Sequence, residues 1–252
     1  MARFEGKLAV VTGAGQSIGL KTAKAFIEEG AKVILVGRTA SKIEAAAASL
    51  GANAIPYTMD IGSEADWLGL VDYIKANFGE LDYLVNNAGI IPGKSIKEMD
   101  LETFKEVERI NLEGTFLGMK HCYEVLKKGT YSAIVNVSSV GSKRTGPNSA
   151  NDVAYNATKA GINMLTKHAA YMYGPDCIRV NCVLPASVNT PMREEYFKTH
   201  PEALANTAKT KPIPPHCTEP EHIAAAILFC CDPACCTMTG TEVLVDAGFM
   251  TI

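Results

Sequence analysis

The 252-residue sequence has no apolar run approaching the roughly 18–20 residues that a membrane span needs, so no transmembrane segment is expected. It has no long apolar stretch before Thr12, and a signal peptide is not expected either. Neither sign of charge dominates. The formal net charge is −3, and the basic spots Lys127-Lys128 and Lys143-Arg144 do not extend into a run. Nucleic acid and an anionic membrane are therefore set aside as partners, and the cytoplasm is the expected location. Zinc-type Cys-x2-Cys spacing is missing too. Four of the eight cysteines stand as Cys230-Cys231 and Cys235-Cys236, after the apolar run Ile223 to Phe229. The expectation is buried, reduced thiols acting as small hydrophobes and no metal site, with zinc or a redox role as the alternative.

There is no internal repeat, low-complexity tract or linker. What is there is an alternation. Short runs rich in β-branched residues occur at Leu8–Thr12, Lys32–Val36, Ala54–Met59, Tyr83–Asn86, Ala133–Val137, Ile178–Leu184 and Glu242–Val245. Helix-period segments lie between them at Ser17–Glu29, Ser41–Leu50, Glu64–Phe78, Leu101–Leu126, Val153–Tyr173 and Glu219–Cys231. Near-continuous apolar strands alternating with helices predict an α/β fold: a Rossmann-type, doubly wound parallel sheet flanked by helices, in one domain over 1–252. One region breaks the rhythm. Residues 186–218 hold Pro191, Pro201, Pro212, Pro214 and Pro215, and are read as a substrate-loop excursion with one short helix around Glu202–Lys209.

The first strand runs into Thr12-Gly13-Ala14-Gly15-Gln16-Ser17-Ile18-Gly19. Glycines at a strand–helix junction let the backbone turn tightly and approach a pyrophosphate, whose charge then meets the helix N-terminus. The spacing differs from Gly-x-Gly-x-x-Gly, because the third glycine comes one position later. Tyr155 and Lys159 stand four apart in a helical segment, so both side chains leave one face. A strand ending in Ser138-Ser139 precedes them.

Together these motifs resemble the short-chain dehydrogenase/reductase family, whose glycine motif is Thr-Gly-x-x-x-Gly-x-Gly; here Ser17 replaces the middle glycine. Asn86-Asn87-Ala88-Gly89 matches the family's Asn-Asn-Ala-Gly, and Asn111 matches its helix asparagine. Tyr155-x-x-x-Lys159 matches Tyr-x-x-x-Lys, and Pro185 to Thr190 matches Pro-Gly-x-x-x-Thr with Ala186 for the glycine. The resemblance implies a nicotinamide-dependent enzyme of secondary alcohols and ketones with Asn111, Ser139, Tyr155 and Lys159 as its catalytic residues. It places cofactor contacts at Gly13, Gln16, Ser17, Ile18, Gly19, Arg38, Asp60, Ile61, Asn87, Ala88, Gly89, Pro185, Val188 and Thr190, besides Tyr155 and Lys159. A free tyrosine, with pKa about 10, is a poor base at neutral pH; the Lys159 ammonium and an oxidised nicotinamide are expected to lower it. Ser139 is expected to hold the substrate oxygen, with Ser138 as the alternative, and Asn111 to anchor a water on a proton path from Lys159. From Ser139 to Tyr155 is 16 positions, a few more than is usual in the family, so residues 141–152 are expected to reshape the substrate pocket.

The second strand ends in Gly37-Arg38-Thr39. An acid at that end would accept from the ribose hydroxyls and repel a 2′-phosphate, whereas a guanidinium pairs with phosphate. NADP is the favoured cofactor, with NAD the alternative. Lys42 and Thr39 stand close enough in sequence to assist. Three further readings remain open: an NAD-dependent sugar or polyol dehydrogenase, an enoyl reductase, and a nucleotide-sensing protein without catalysis. Enoyl reductases of the family usually space Tyr and Lys seven apart, and non-catalytic members usually lose the residues retained here. Met192, Tyr196, Phe197 and Leu204 in the excursion point to a bulky apolar substrate, with a hydroxysteroid or bile acid as the first guess; Asn148, Asn151 and Asp152 would instead meet hydroxyls. The resemblance also implies a homo-oligomer, a tetramer or dimer built on the long helices 101–126 and 153–173.

Overall fold

The computed structural model describes residues 2–145, 152–189, 198, 207, 209–214 and 216–251. Thr190, Asn148, Asn151, Met192, Tyr196, Phe197 and Leu204 lie outside them, as does nearly all of the helix expected around Glu202–Lys209. Seven strands form: β1 (Leu8–Thr12), β2 (Lys32–Gly37), β3 (Ala54–Thr58), β4 (Tyr83–Asn86), β5 (Ala133–Val137), β6 (Arg179–Pro185) and β7 (Glu242–Val245). Between them run α1 (Ser17–Glu28), α2 (Ala40–Leu50), α3 (Glu64–Asn77), α4 (Leu101–Glu108), α5 (Gly114–Leu126), α6 (Val153–Tyr173) and α7 (Pro220–Cys231).

The strands pair in parallel, in the order β3-β2-β1-β4-β5-β6-β7. Successive side chains of a strand point to opposite faces, so β1 feeds two cores. Ala9 and Val11 pack in a layer with Phe26, Ile43 and Ile223; Leu8 and Val10 pack in the other with Trp67, Leu70 and Ile74. Covering both faces demands the continuous apolar runs seen in the sequence. β3 is an edge strand, which accommodates Pro56 and its missing N–H. The strand order reverses between β1 and β4, and a crevice opens there beyond the carboxyl ends of the strands.

Two expectations are corrected. The single helix foreseen over 101–126 is interrupted by a π-helical turn at Arg109–Glu113, which holds Asn111. The cause is tertiary. Asn111 is fully buried and its amide is bound to the main chain of Ile90, outside its own helix. Thr115 Oγ1 donates to the Asn111 carbonyl. Such widened turns are common at functional sites. The second correction concerns the cysteines. Cys230 and Cys231 are fully buried, but Cys235 is half-buried and Cys236 exposed, because the chain leaves the core at Asp232, which caps a short 3-10 turn. Among the described residues, no group of three or more His, Cys, Asp or Glu is placed to hold a metal, and no helix is long and apolar enough to cross a membrane.

The position of α6 depends on a buried polar chain. Asn86 Nδ2 on β4 donates to Asn136 Oδ1 on β5 (2.9 Å), and Asn136 Nδ2 donates to Thr166 Oγ1 on α6 (2.9 Å). Asn136 is satisfied at both ends and Asn86 Oδ1 is buried without a partner among the described residues, and a slip of helix against sheet would unpair the remaining buried amide groups as well. Room for Asn86 comes from Gly118 on α5, where an added Cβ would lie 2.7 Å from Asn86 Oδ1 and 2.8 Å from the Trp67 ring. Gly118→Ala is therefore expected to lower stability by about 2 kcal/mol through overpacking, despite alanine's better helix propensity. Thermal denaturation reads this directly, and an undiminished midpoint would show that α5 can move aside freely.

Candidate active site

The crevice at the strand-order reversal is a cleft of about 330 Å³ between the ends of β1, β2 and β4. Thr12 knits its base: Oγ1 accepts from the N–H groups of Asn87 (2.9 Å) and Ala88 (3.0 Å), while Asn87 Nδ2 donates to the Thr12 carbonyl (2.9 Å). Gly19 lies one layer below, where a Cβ would come within 2.3 Å of the Gly13 carbonyl oxygen. Its role is close packing of α1 on β1, not lining of the cleft. Ser17 opens α1 with φ of 48°, in the left-handed region where the resembling family has glycine. An L residue there costs roughly 1–2 kcal/mol. The N-terminus of α1 has no side-chain cap and no acid in its first turn, so its N–H groups and dipole remain open to an anion.

At the far end of the cleft, Arg38 and Thr39 follow β2, and Lys42 rises from α2. Asp60 and Ile61 close the side nearest β3. The Asp60 carboxyl is held below its ordinary pKa even though burial opposes this, because the Gly62 N–H (3.0 Å) and Arg109 Nη1 (3.0 Å) both donate to it. Arg109 is thus Asp60's ion-pair partner, and Arg38 acts on Asp60 only through its field. An uncapped helix end, an exposed guanidinium and an apolar floor that includes Ile43 and Ile61 fit a dinucleotide.

Beyond the cleft, β5 ends in two serines with different fates. Ser138 is buried and its hydroxyl donates to the Lys159 carbonyl (3.0 Å). Ser139 is half-buried; its Oγ accepts from the Gly141 N–H (3.0 Å) and stands close enough to the Tyr155 phenol to act on its pKa. The geometry therefore brings Ser139, not Ser138, to the tyrosine. Lys159, one turn along α6, is almost wholly buried; Nζ donates to the Val137 carbonyl (2.6 Å) and lies 5.4 Å from the centre of the Tyr155 ring. Burial pushes the ammonium down to about 8. Gly89 makes the meeting possible, since a Cβ there would sit 3.1 Å from Asn111 Oδ1 and 3.6 Å from Lys159 Nζ. Asn111 Nδ2 donates to the Ile90 carbonyl (2.9 Å) and to Thr158 Oγ1 (3.3 Å), and Oδ1 accepts from the Ile90 N–H (2.8 Å).

The expected depression of the Tyr155 pKa is not met by the protein alone. Burial raises it, the Ser139 hydroxyl pulls it back, and the nearby Asp152 charge adds to the rise. The phenol is therefore protonated at rest, and a further positive charge is needed to make phenolate accessible.

Of the expected cofactor residues, Gly13, Gln16, Ser17, Ile18, Arg38, Asp60, Ile61, Asn87, Ala88 and Gly89 line the cleft. Gly19, Tyr155, Lys159, Pro185 and Val188 stand outside that lining; Pro185 ends β6 opposite Val245, and Val188 bridges to Thr218. Sequence reasoning missed Ile43, Met59, Ile90 and Ile110, which also line it. Ile90 directly follows the Asn-Asn-Ala-Gly motif and Met59 precedes Asp60, so adjacency was the available signal.

Residues 13–250 match a family model described as enoyl-(acyl carrier protein) reductase. The chain is 35% identical to an NADP-dependent (R)-specific alcohol dehydrogenase of Lentilactobacillus kefiri, over 98% of each chain. It is 32% identical to a 3-alpha-(or 20-beta)-hydroxysteroid dehydrogenase of Mycobacterium bovis, over 98% of this chain and 90% of the other. A solved structure from Burkholderia xenovorans, assigned to the short-chain dehydrogenase/reductase family, superposes with a TM-score of 0.92 at 30% identity, covering 100% of this chain and 99% of that one. With the glycine-bearing β1–α1 turn, the Ser139–Tyr155 contact and the buried Lys159 in one site, the chain belongs to the short-chain dehydrogenase/reductase family, as an NAD(P)-dependent oxidoreductase acting on CH–OH groups.

Proposed function

We propose that the protein moves a hydride between NADP(H) and a secondary alcohol or ketone, with Asn111, Ser139, Tyr155 and Lys159 as its working residues. The observation that carries this is the convergence of the buried Lys159 ammonium, 5.4 Å from the centre of the Tyr155 ring, and the nearby Ser139 hydroxyl beside a cleft whose β2 end bears Arg38. The bound nicotinamide would supply the hydride donor or acceptor. Tyr155 gives its proton to a ketone oxygen, or takes one from an alcohol. Ser139, its Oγ oriented by the Gly141 N–H, donates to the same substrate oxygen. Lys159 stabilises the phenolate and holds ribose hydroxyls, and Asn111 anchors a water on the proton path from Lys159. Ser17, Gln16 and Ile18 meet the pyrophosphate, and Arg38, aided by Lys42 and Thr39, takes the 2′-phosphate.

The substrate reading is a hydroxysteroid, including a bile acid, supported by the M. bovis relative's name and the apolar residues foreseen in the excursion. A sugar or polyol is the second reading. Enoyl reduction, named in the matching family model, is disfavoured because Tyr155 and Lys159 stand one helical turn apart and share the Ser139 corner. The protein is further proposed to work in the cytoplasm as a homo-oligomer, a tetramer or dimer. Its long helices carry the exposed apolar residues Phe116, Met164 and Tyr171.

Titration with NADPH and NADH, followed by nicotinamide fluorescence, tests the cofactor. NADPH is expected to bind tighter, and Arg38→Asp to weaken it on the order of 100-fold while NADH gains. Unchanged NADPH affinity would remove Arg38 from the site.

For the chemistry, Tyr155→Phe is expected to lower kcat on a ketone panel by roughly 10²–10⁴-fold with NADPH binding retained. Turnover left intact in that variant would refute the proton-transfer role.

Lys159→Met separates function from stability. The folded pKa of about 8 lies below the free value of 10.5, so burying the charge costs stability fully below about pH 8, and the cost fades as pH rises toward 10.5. At neutral pH the variant is expected to be more stable by ~1–3 kcal/mol, with the gain shrinking in alkali, and to have lost turnover. A variant less stable than the parent at neutral pH would contradict that account.

A further inference from the structure

The face of α6 that carries Tyr155 and Lys159 continues at four-residue intervals through Asn163 and Lys167. The chemistry proposed above makes no use of this second half. Asn163 is only 5% exposed, so an unsatisfied amide there would be costly, yet a leucine would fill the same space. Its hydrogen bonds show what the amide does. Nδ2 donates to Ser142 Oγ (2.8 Å), and Ser142 Oγ in turn donates to the Ser139 carbonyl (2.6 Å). Oδ1 accepts from Cys182 Sγ (3.5 Å), a fully buried thiol on β6, which fixes the direction of the amide.

A second fastening lies next door. Lys143 Nζ meets Glu242 Oε2 on β7 at 2.5 Å, and Lys167 approaches Glu242 Oε1 at 3.1 Å, as an ion pair outside hydrogen-bond geometry. The turn Val140–Ser142 is thus tied to α6 directly through Ser142 and indirectly through Lys143.

We propose that Asn163 is a positioning residue for the proton-transfer pair. It acts through Ser142 to set the angle of the Ser139 turn, so the helix that carries Tyr155 also carries the latch for the serine beside it. The Ser139 hydroxyl keeps its proton for Tyr155 or substrate only while its lone pair is engaged by the Gly141 N–H, two residues along the same turn. Release of Ser142 lets that turn rotate, and the hydroxyl then has no fixed direction. This inference rests on the Ser139–Tyr155 pair being the proton-transfer centre, and its test reads the pair separately from turnover.

The variants are Asn163→Leu, Ser142→Ala, their combination, and Ser142→Thr, which keeps the hydroxyl. Asn163→Leu and Ser142→Ala are each expected to lower kcat about tenfold, leaving NADPH affinity and the ketone KM near the parent values. The double variant is expected to lose no more than either single one, because both break one chain. Ser142→Thr is expected to retain activity. Independently of turnover, the Tyr155 phenol, followed by NMR on carbon-labelled tyrosine, is expected to titrate at higher pH in Asn163→Leu and Ser142→Ala but not in Ser142→Thr. A folded Asn163→Leu enzyme with parental kcat and an unmoved Tyr155 titration overturns the inference, as does a double variant whose losses multiply. If the parent reduces no carbonyl, the functional reading fails, and the titration alone decides whether Asn163 governs the pair.

Discussion

The site depends on one contact, the seating of α6 on the carboxyl end of β5. Three buried hydrogen bonds make it: Asn136 Nδ2 to Thr166 Oγ1, Ser138 Oγ to the Lys159 carbonyl, and Lys159 Nζ to the Val137 carbonyl. Each crosses from strand to helix, and each would leave an unpaired buried group if the helix slipped. The last is the most demanding, because an ammonium loses most of its hydration there, as its pKa of about 8 records. The fold accepts this cost at the place where a fixed cation is useful, above the ring of Tyr155.

Strain and charge are handled in the same way at the other end of the cleft. Ser17 holds a left-handed backbone at the first residue of α1, and nothing among the described residues caps that helix. Asp60 is committed to Arg109 and the Gly62 amide, which leaves Arg38 outside any ion pair with it at the edge of the cleft. Both features leave a phosphate-binding surface underused by the protein's own groups. The resting Tyr155, protonated through burial, is likewise incomplete on its own.

Strands and helices were legible in the residue pattern because parallel strands buried on both faces must be continuously apolar, and their boundaries fell within a residue or two. β3 was the weakest case, since an edge strand with Pro56 and a half-exposed face carries less of that signal. The π-helical turn at Arg109–Glu113 left no local trace: its residues are ordinary helix formers, and the distortion comes from Asn111 reaching across to Ile90. The cysteine pairs were half legible. The run into Cys230-Cys231 foretold burial, but nothing local told that the chain would surface before Cys236.

By itself the sequence determined the sheet, the glycine-bearing turn, the Tyr155–Lys159 spacing and the cation after β2, because period, turn chemistry and charge are properties of neighbours along the chain. Only the tertiary structure turned the Ser138 hydroxyl onto the Lys159 carbonyl and left Ser139 beside Tyr155, and only it set the directions of the Tyr155 and Lys159 pKa shifts. Those outcomes depend on which groups are desolvated together and which hydrogen bonds they share, and both are fixed by residues far apart in the chain.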